Sequence, residues 1–327
     1  MDKIKIGIVG YGNLGRGAEL AIQQQPDMEL VAIFSRRQPD ELDVVTPNIE
    51  VVHVDDAHKY IGKIDVMILC GGSATDLPEQ TPAFTKMFNT VDSYDTHAKI
   101  PEHFAKVDKV AKESNNVSVI SVGWDPGFFS LNRVMSEAVL PEGNTYTFWG
   151  KGLSQGHSDA VRRVEGVKDG VQYTIPSEEA IQKVRRGENP TLSTAERHKR
   201  VCYVVPEEGA DTEEIAHTIK TMPNYFADYD TTVHFITEEE LRRDHTHMQH
   251  GGFVIRSGQT GQDTNQIVEY NITLGSNPEF TASVLVAYAR AAYRLQAEGD
   301  SGAKTIYDIA PKYISPKAYE DLIKHYL

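Results

Sequence analysis

The stretch IKIGIVG, residues 4 to 10, runs directly into GYGNLG. A short, β-branched apolar run suits a strand buried on both faces. Gly10, Gly12 and Gly15 then follow the G-x-G-x-x-G spacing, which limits what the next element can be. Gly10 permits a tight turn, Gly12 lets the backbone approach a pyrophosphate, and Gly15 lets helix and strand pack closely. The N–H groups that open such a helix face phosphate oxygens. Glycines are common in turns, so the spacing alone also fits a purely structural turn. Its context, with a strand before, a helix after and a second strand ending about 20 residues later, points to a dinucleotide site.

The first third of the chain repeats that alternation. MELVAIFS, IEVVHVD, IDVMILC, NTVDSYD and VSVISVGW read as further strands, and LPEQTPAFTKMF and PEHFAKVDKVAKES as helices between the later ones. Strand–helix alternation implies a parallel sheet covered by helices on both faces. The expected fold class is α/β, a Rossmann-type doubly wound parallel sheet domain plus an α+β substrate-binding and dimerisation domain. In the second part TYTFWG, VQYTIP, HKRVCYVV, YDTTVHFIT, GGFVIRSG and QIVEYNITL are strand candidates. SDAVRRVEG, SEEAIQKVRRGE and DTEEIAHTIKTM interrupt them as helices. The expected boundaries are 1–122, 123–280 and 281–327, the last being helices that pack back on the first domain. Of these, TASVLVAYARAAYRLQ is long and apolar, and the final helix is expected to start with Ser315 as N-cap and Pro316 in its first position.

The formal net charge of −14 argues against a nucleic-acid or anionic-membrane binder, which needs a basic face. Cys70 and Cys202 are too few for a disulfide framework and lack metal-ligand spacing. No segment approaches a membrane span of roughly 20 apolar residues, and the N-terminus reads as a strand rather than a signal peptide. The expectation is a soluble cytoplasmic protein, for which the N-x-S/T matches at Asn116 and Asn271 carry no meaning.

The second strand ends in Ser35, Arg36 and Arg37. In dinucleotide folds an acid at that place accepts from the ribose 2′-hydroxyl. An arginine cannot accept, but it binds a 2′-phosphate with charge-assisted, often bidentate bonds. The residues therefore indicate NADP rather than NAD. A solvated basic loop is the bland alternative.

From these residues alone the function reads as an NADP-dependent oxidoreductase of unknown substrate. The motifs GYGNLGRG, FSRR, CGGSATDLPEQ, DSYDTH, GWDPG, TFWGKGLSQGHSDAVRR, TMPNYF and SNPEFTAS are individually unspecific. In joint order and spacing they resemble the meso-diaminopimelate dehydrogenase family over essentially the whole chain. The resemblance implies a homodimer that oxidises the D-centre of meso-2,6-diaminopimelate with NADP. It yields L-2-amino-6-oxopimelate, which cyclises to tetrahydrodipicolinate, and ammonia; the reverse direction serves lysine and cell-wall precursor synthesis.

The resemblance also assigns residues. Gly10, Tyr11, Gly12, Asn13, Leu14 and Gly15, then Ser35, Arg36 and Arg37, then Cys70, Gly71, Ser73 and Thr75 would hold the cofactor. Asp95 and Asp125 would contact the reacting ammonium group, where carboxylates position it and pass its proton to water. Trp124 and Trp149 flank the substrate, and Gln155 and Gly156 meet the reacting carboxylate. Thr174, Arg200, His250 and Asn277 would anchor the distal L-centre, with Arg200 suited to a carboxylate. His157 and Asp159 read as supporting residues.

One departure lies in DHTHMQHGG, where His247 and Gln249 stand in place of the glycine and proline of the family pattern. Three close histidines, His245, His247 and His250, invite a zinc reading, but H-E-x-x-H is lacking and hydride transfer needs no Lewis acid, so no metal is expected. Two other readings stay open: a catalytically silent NADP-binding redox sensor, and an NADP-linked sugar or aldehyde oxidoreductase of the same two-domain layout. The latter would carry a lysine-centred motif, and no convincing E-K-P-type motif follows the dinucleotide strands.

Overall fold

The computed structural model describes residues 3–327. The chain forms two compact units, residues 1–131 with 278–327, and residues 132–277.

In the first unit, β1 (Ile4–Val9), β2 (Met28–Ser35), β3 (Glu50–His53), β4 (Val66–Leu69), β5 (Asn89–Asp92) and β6 (Val117–Val119) are all parallel. They lie in the order β6-β5-β4-β1-β2-β3. The order reverses beside β1, where open α/β sheets bind ligands at the carboxyl ends of their strands. Successive residues of β4 show why it has to be apolar throughout. Val66 and Ile68 join a cluster with α1 (Asn13–Gln23), while Met67 and Leu69 join one on the opposite face with Leu77 and Phe84 of α2 (Leu77–Thr85). A third helix, α3 (Ile100–Ser114), ends on Asn115 in the left-handed conformation.

β6 is shorter than its apolar run suggests. Ser121 turns left-handed at φ +57°, and strand pairing stops at Val119 rather than continuing to Trp124. β5 likewise stops at Asp92, well before Asp95. A helix that the sequence did not signal, α4 (Phe128–Val139), follows.

The second unit contains two further sheets. β7 (Gly143–Trp149), β12 (His250–Gln259) and β13 (Asn265–Leu274) form an antiparallel three-stranded sheet in the order β13-β12-β7. The other sheet has the order β11-β10-β9-β8, from β8 (Gly152–Leu153), β9 (Val167–Pro176), β10 (His198–Pro206) and β11 (Asp230–Phe235). Its apolar face carries α5 (Gln155–Arg162), and Cys202 and Val204 of β10 pack there with Ala160 and Val161.

The chain then returns to the first unit. The helix Asn277–Ala297 packs its Ala282, Leu285, Tyr288, Ala289 and Ala292 into the cluster of Ile6 and Ile8. A Cβ on Gly17 of α1 would stand 3.0 Å from that of Ala282, so the two helices approach as closely as a glycine allows. Gly302–Lys304 then adds parallel to β6 and makes the sheet seven-stranded. Three residues without alternation gave no strand signal in the sequence. The final helix spans Tyr319–Tyr326 with Ala318 as N-cap, later than the Ser315–Pro316 start that was expected. Ser315 instead accepts from Lys317 N at 3.2 Å, a local turn that competes with helix initiation.

Arg290 fixes this return. It is 1% exposed, grips both Asp27 oxygens at 2.7 Å, and donates to Gln25 Oε1 and Ile314 O. Burial raises the Asp27 pKa, but the Arg290 hydrogen bonds and charge outweigh it and hold the carboxyl below its usual range. We expect Arg290→Ala to lower the unfolding free energy by roughly 3 kcal/mol at neutral pH, measured by urea denaturation. A carboxylate whose folded pKa is depressed contributes stability above its unfolded value and loses it as pH falls through the folded one. The difference between wild type and variant should therefore shrink in acid; a gap that widens there contradicts this account.

Candidate active site

At the end of β1 the chain turns through Gly10 at φ +88°, and a Cβ on Gly15 would stand 2.2 Å from the Gly10 carbonyl oxygen. Gly12, by contrast, faces open space: nothing lies within 4 Å of a Cβ there. No side chain caps α1, so its N-terminal dipole faces this opening and suits an anion. Asn13 and Leu14 form the first turn beyond the opening. Tyr11 is buried, its hydroxyl donating to Glu19, and Glu19 in turn accepts from Thr46 N at 2.5 Å.

The end of β2 is built around Ser35. Its hydroxyl accepts from Arg37 N at 3.0 Å, while the Arg37 guanidinium donates to Tyr11 O. Arg36 is 75% exposed and reaches Asp76 Oδ1 at 3.3 Å, which leaves its charge at the surface. Asp76 also accepts from Gly72 N at 2.9 Å. The loop after β4 thus brings Cys70, Gly71, Ser73 and Thr75 to the same carboxyl edge as the glycine turn. Cys70 N donates to Val9 O at 2.7 Å, and Gly71 has Asp76 and Gln80 side chains where a Cβ would be. The parts fit a dinucleotide with an additional phosphate: an uncapped helix end, an open cradle at Gly12, and two guanidinium groups at the second strand.

Asp95 and Asp125 follow β5 and β6 at that edge. Asp95 is exposed, and its N–H donates to Ser73 Oγ at 2.8 Å. Asp125 is half-buried beside Trp124, whose ring meets Phe129 edge-on at 5.2 Å. Gly127 closes that turn at φ +135°, with Gly123 O where any side chain would begin.

In the second unit, β10 and β9 pair Arg200 with Thr174. Arg200 is 5% exposed; it donates to Thr174 Oγ1 and lies 4.0 Å over the Tyr229 ring. Its Nε has no partner, and no carboxylate forms an ion pair with it among the described residues. Burial lowers its pKa. Strand alternation places His198 on the same face. His198 Nε2 accepts from Trp149 N at 2.8 Å, and the two rings stack at 5.2 Å. Burial and then the Arg200 charge lower its pKa to about 3. His157 is lowered to about 4 by the same two causes, and burial also lowers His250, where Arg200 acts as a smaller cause. The imidazoles around Arg200 are therefore neutral at neutral pH and add no charge to its own.

α5 begins at Gln155. Its N-cap Ser154 turns its hydroxyl to His157 Nδ1 at 2.9 Å instead of capping the helix. Gln155 and Gly156 are exposed there, and a Cβ on Gly156 would meet nothing within 4 Å. Gln155 Nε2 reaches Met248 Sδ at 3.4 Å, and Met248 O accepts from Asn277 N at 2.9 Å. The segment before His250 is thus clasped from both sides, and Gln249 O accepts from Leu153 N at 3.1 Å. His250 itself sits against Gly152, where a Cβ would lie 2.4 Å from its ring. His245 is turned elsewhere, stacking on Tyr203 at 4.1 Å and meeting the Tyr173 hydroxyl at 3.0 Å. Asp159 pairs with Arg162 on the outside of α5.

His198 and Tyr229 were not picked out in the sequence. Alternation from Arg200 was a signal for the former; nothing local pointed to the latter. Gln172 was also passed over, yet it is buried beside Thr174 with its Oε1 unpartnered.

Residues 123–276 match the Diaminopimelic acid dehydrogenase C-terminal domain. The meso-diaminopimelate D-dehydrogenases of Ureibacillus thermosphaericus and Corynebacterium glutamicum are 64% and 51% identical, with 100% and 99% of both chains covered respectively. Among solved structures, the C. glutamicum DAP dehydrogenase in complex with DAP shares 50% identity at a TM-score of 0.94, covering 100% of both chains. An engineered D-amino acid dehydrogenase bound to NADP+ shares 47% at 0.89, covering 99% of this chain and 100% of its own. Full-length identity at this level leaves one conclusion: the chain belongs to the meso-diaminopimelate D-dehydrogenase family.

Proposed function

We propose that the chain catalyses the NADP-dependent, reversible oxidative deamination of the D-centre of meso-2,6-diaminopimelate, giving L-2-amino-6-oxopimelate and ammonia. The observation that carries this reading is Arg200, a buried guanidinium with no carboxylate of its own among the described residues. Burying a cation unpaired is costly, and a dicarboxylic amino acid supplies the missing partner. The neutral imidazoles of His157, His198 and His250 add hydrogen-bonding capacity around that carboxylate without competing charge.

The other assignments follow the same chemistry. The uncapped start of α5 offers Gln155 and Gly156 to the reacting carboxylate. Asp95 and Asp125 hold the ammonium group and pass its proton to water, since only the neutral amine releases hydride. Trp124 and Trp149 belong to the substrate-binding set of the same reading. NADP accepts the hydride when bound; Gly10–Gly15, Ser35, Arg36, Arg37 and the 70–75 loop hold it. Thr174, His250 and Asn277 complete the distal anchor.

A cytoplasmic homodimer belongs to the same reading. β13 is an outer strand with most of its residues exposed, Ile267 and Val268 among them, and an uncovered edge of that length invites pairing. Among the described residues no helix is long and apolar enough to cross a membrane.

The reading is tested by following reduced-cofactor absorbance with meso-diaminopimelate and NADP. Tight NADPH binding without turnover on any amino acid points to the redox sensor instead. Replacing Arg36 and Arg37 together by Ala should lower the NADP over NAD preference in kcat/KM at least about tenfold, since hydrogen bonds to charged groups contribute roughly 1.5–3 kcal/mol; an unchanged ratio rejects the 2′-phosphate assignment.

The two glycines should separate. Gly12→Ala enters open space, so thermal stability should hold while NADPH affinity collapses. Gly15→Ala drives a methyl into the Gly10 carbonyl and should lower Tm as well. Equal effects on Tm count against the cradle.

Arg200→Ala should reduce kcat/KM on meso-diaminopimelate roughly 10- to 150-fold. A simple D-amino acid lacks the distal carboxylate, so its turnover should change much less. Equal losses on the two substrates place Arg200 at the fold or the reacting end.

A further inference from the structure

We propose that Asp92, braced by His103, is a positioning residue that holds both reacting-end carboxylates, Asp95 and Asp125, in place. It deepens the reading above and rests on the assignment of those two aspartates. Asp92 closes β5 and is 0% exposed, so it cannot touch substrate. Its carboxylate is nonetheless saturated. Oδ1 accepts from Tyr94 N at 3.0 Å and from Ser121 N at 2.9 Å. Oδ2 accepts from Thr81 Oγ1 at 2.7 Å and meets His103 Nε2 at 2.9 Å.

The partners show what the group is for. Tyr94 immediately precedes Asp95. Ser121 begins the turn that delivers Asp125, and it does so in a left-handed conformation that a side-chain-bearing residue adopts only when its surroundings hold it. The Asp92 carbonyl also accepts from Val122 N at 2.9 Å, so one residue fixes the departure of both strands' loops through side chain and main chain together. Thr81 comes from α2 and His103 from α3, which anchors the carboxylate to both helices. His103, 5% exposed, stacks on Tyr94 at 4.1 Å and thereby clamps the segment that leads to Asp95 from a second side. Asp95 is further tied to Ser73 through its own N–H, so the reacting-end carboxylate is fixed at its main chain while its side chain stays exposed. Catalysis is sensitive to such placement, because small displacements of an acid or base raise the barrier.

The test is a double-mutant cycle in the full enzyme with NADP and meso-diaminopimelate. Asp92→Asn keeps the shape of the side chain, and the His103 tautomer can adapt to it. We expect kcat to fall at least tenfold, NADPH affinity to stay within about threefold, and the primary isotope effect on substrate deuterated at the D-carbon to rise. In an Asp95→Asn, Asp125→Asn background the Asp92→Asn change should cost little more, because groups acting as a unit are not additive. His103→Phe, which retains the ring on Tyr94, should give a smaller loss of the same kind. It is the variant to read should Asp92→Asn fail to fold. Full additivity in the cycle, or an unchanged kcat in the folded variants, overturns the positioning role alone. If Asp95→Asn and Asp125→Asn themselves leave kcat unchanged, the assignment beneath it fails, and the positioning role with it.

Discussion

Helix α1 can start where it does because Gly15 has no side chain: a Cβ there would sit 2.2 Å from the Gly10 carbonyl oxygen. The glycine turn at the carboxyl edge of the first sheet is placed by this approach. It sets α1 tight against β1 and aims an uncapped helix end at the opening beside Gly12. It also leaves the outer side of α1 near enough for the Asn277–Ala297 helix to settle on Gly17. That second contact matters because the C-terminal segment completes the sheet with Gly302–Lys304 and is fastened by Arg290 to Asp27, just before β2. Residues nearly three hundred positions apart thus share one packing constraint, and it operates through backbone rather than side-chain chemistry.

Polar burial does the finer placing. Asp92 and Arg200 are both charged residues inside the protein, and the two are handled in opposite ways. Asp92 has all its acceptor capacity met by Thr81, Tyr94, His103 and Ser121, so it rigidifies its surroundings. Arg200 keeps an unpartnered Nε, with Thr174 and the Tyr229 face as its neighbours. A satisfied buried charge rigidifies its surroundings, and an unsatisfied one stays costly unless a ligand completes it.

This distinction also explains what could be read from the chain. The glycine turn was legible because its spacing encodes a backbone requirement, and the parallel sheet because strands buried on both faces are uniformly apolar. NADP use was expected from Arg36 and Arg37, because charge at the end of the second strand has few uses. The three-residue strand at Gly302–Lys304 was not, since its pairing comes from the long helix before it and not from its own composition. The late start of the last helix turned on whether Ser315 capped it or closed a local turn, two bonds of similar strength. Asp92 and Asp95 look alike in DSYDTH, three residues apart, and only the depth of the sheet edge separates the buried brace from the exposed carboxylate.

The unpaired guanidinium has a consequence for selectivity that composition conceals. The chain carries a formal charge of −14, which on its own disfavours the carboxylates of a ligand. Long-range repulsion is screened within about 8 Å at physiological ionic strength, whereas a buried cation acts at contact distance and is barely screened. The local term therefore decides. A ligand that brings a second carboxylate relieves the desolvated Arg200, while one that lacks it leaves the charge buried and alone. Discrimination of this kind comes from the penalty on the wrong ligand as much as from the bond to the right one. With His157 and His198 lowered to about 4 and about 3, neither imidazole adds a positive charge beside Arg200 at neutral pH to blur the choice.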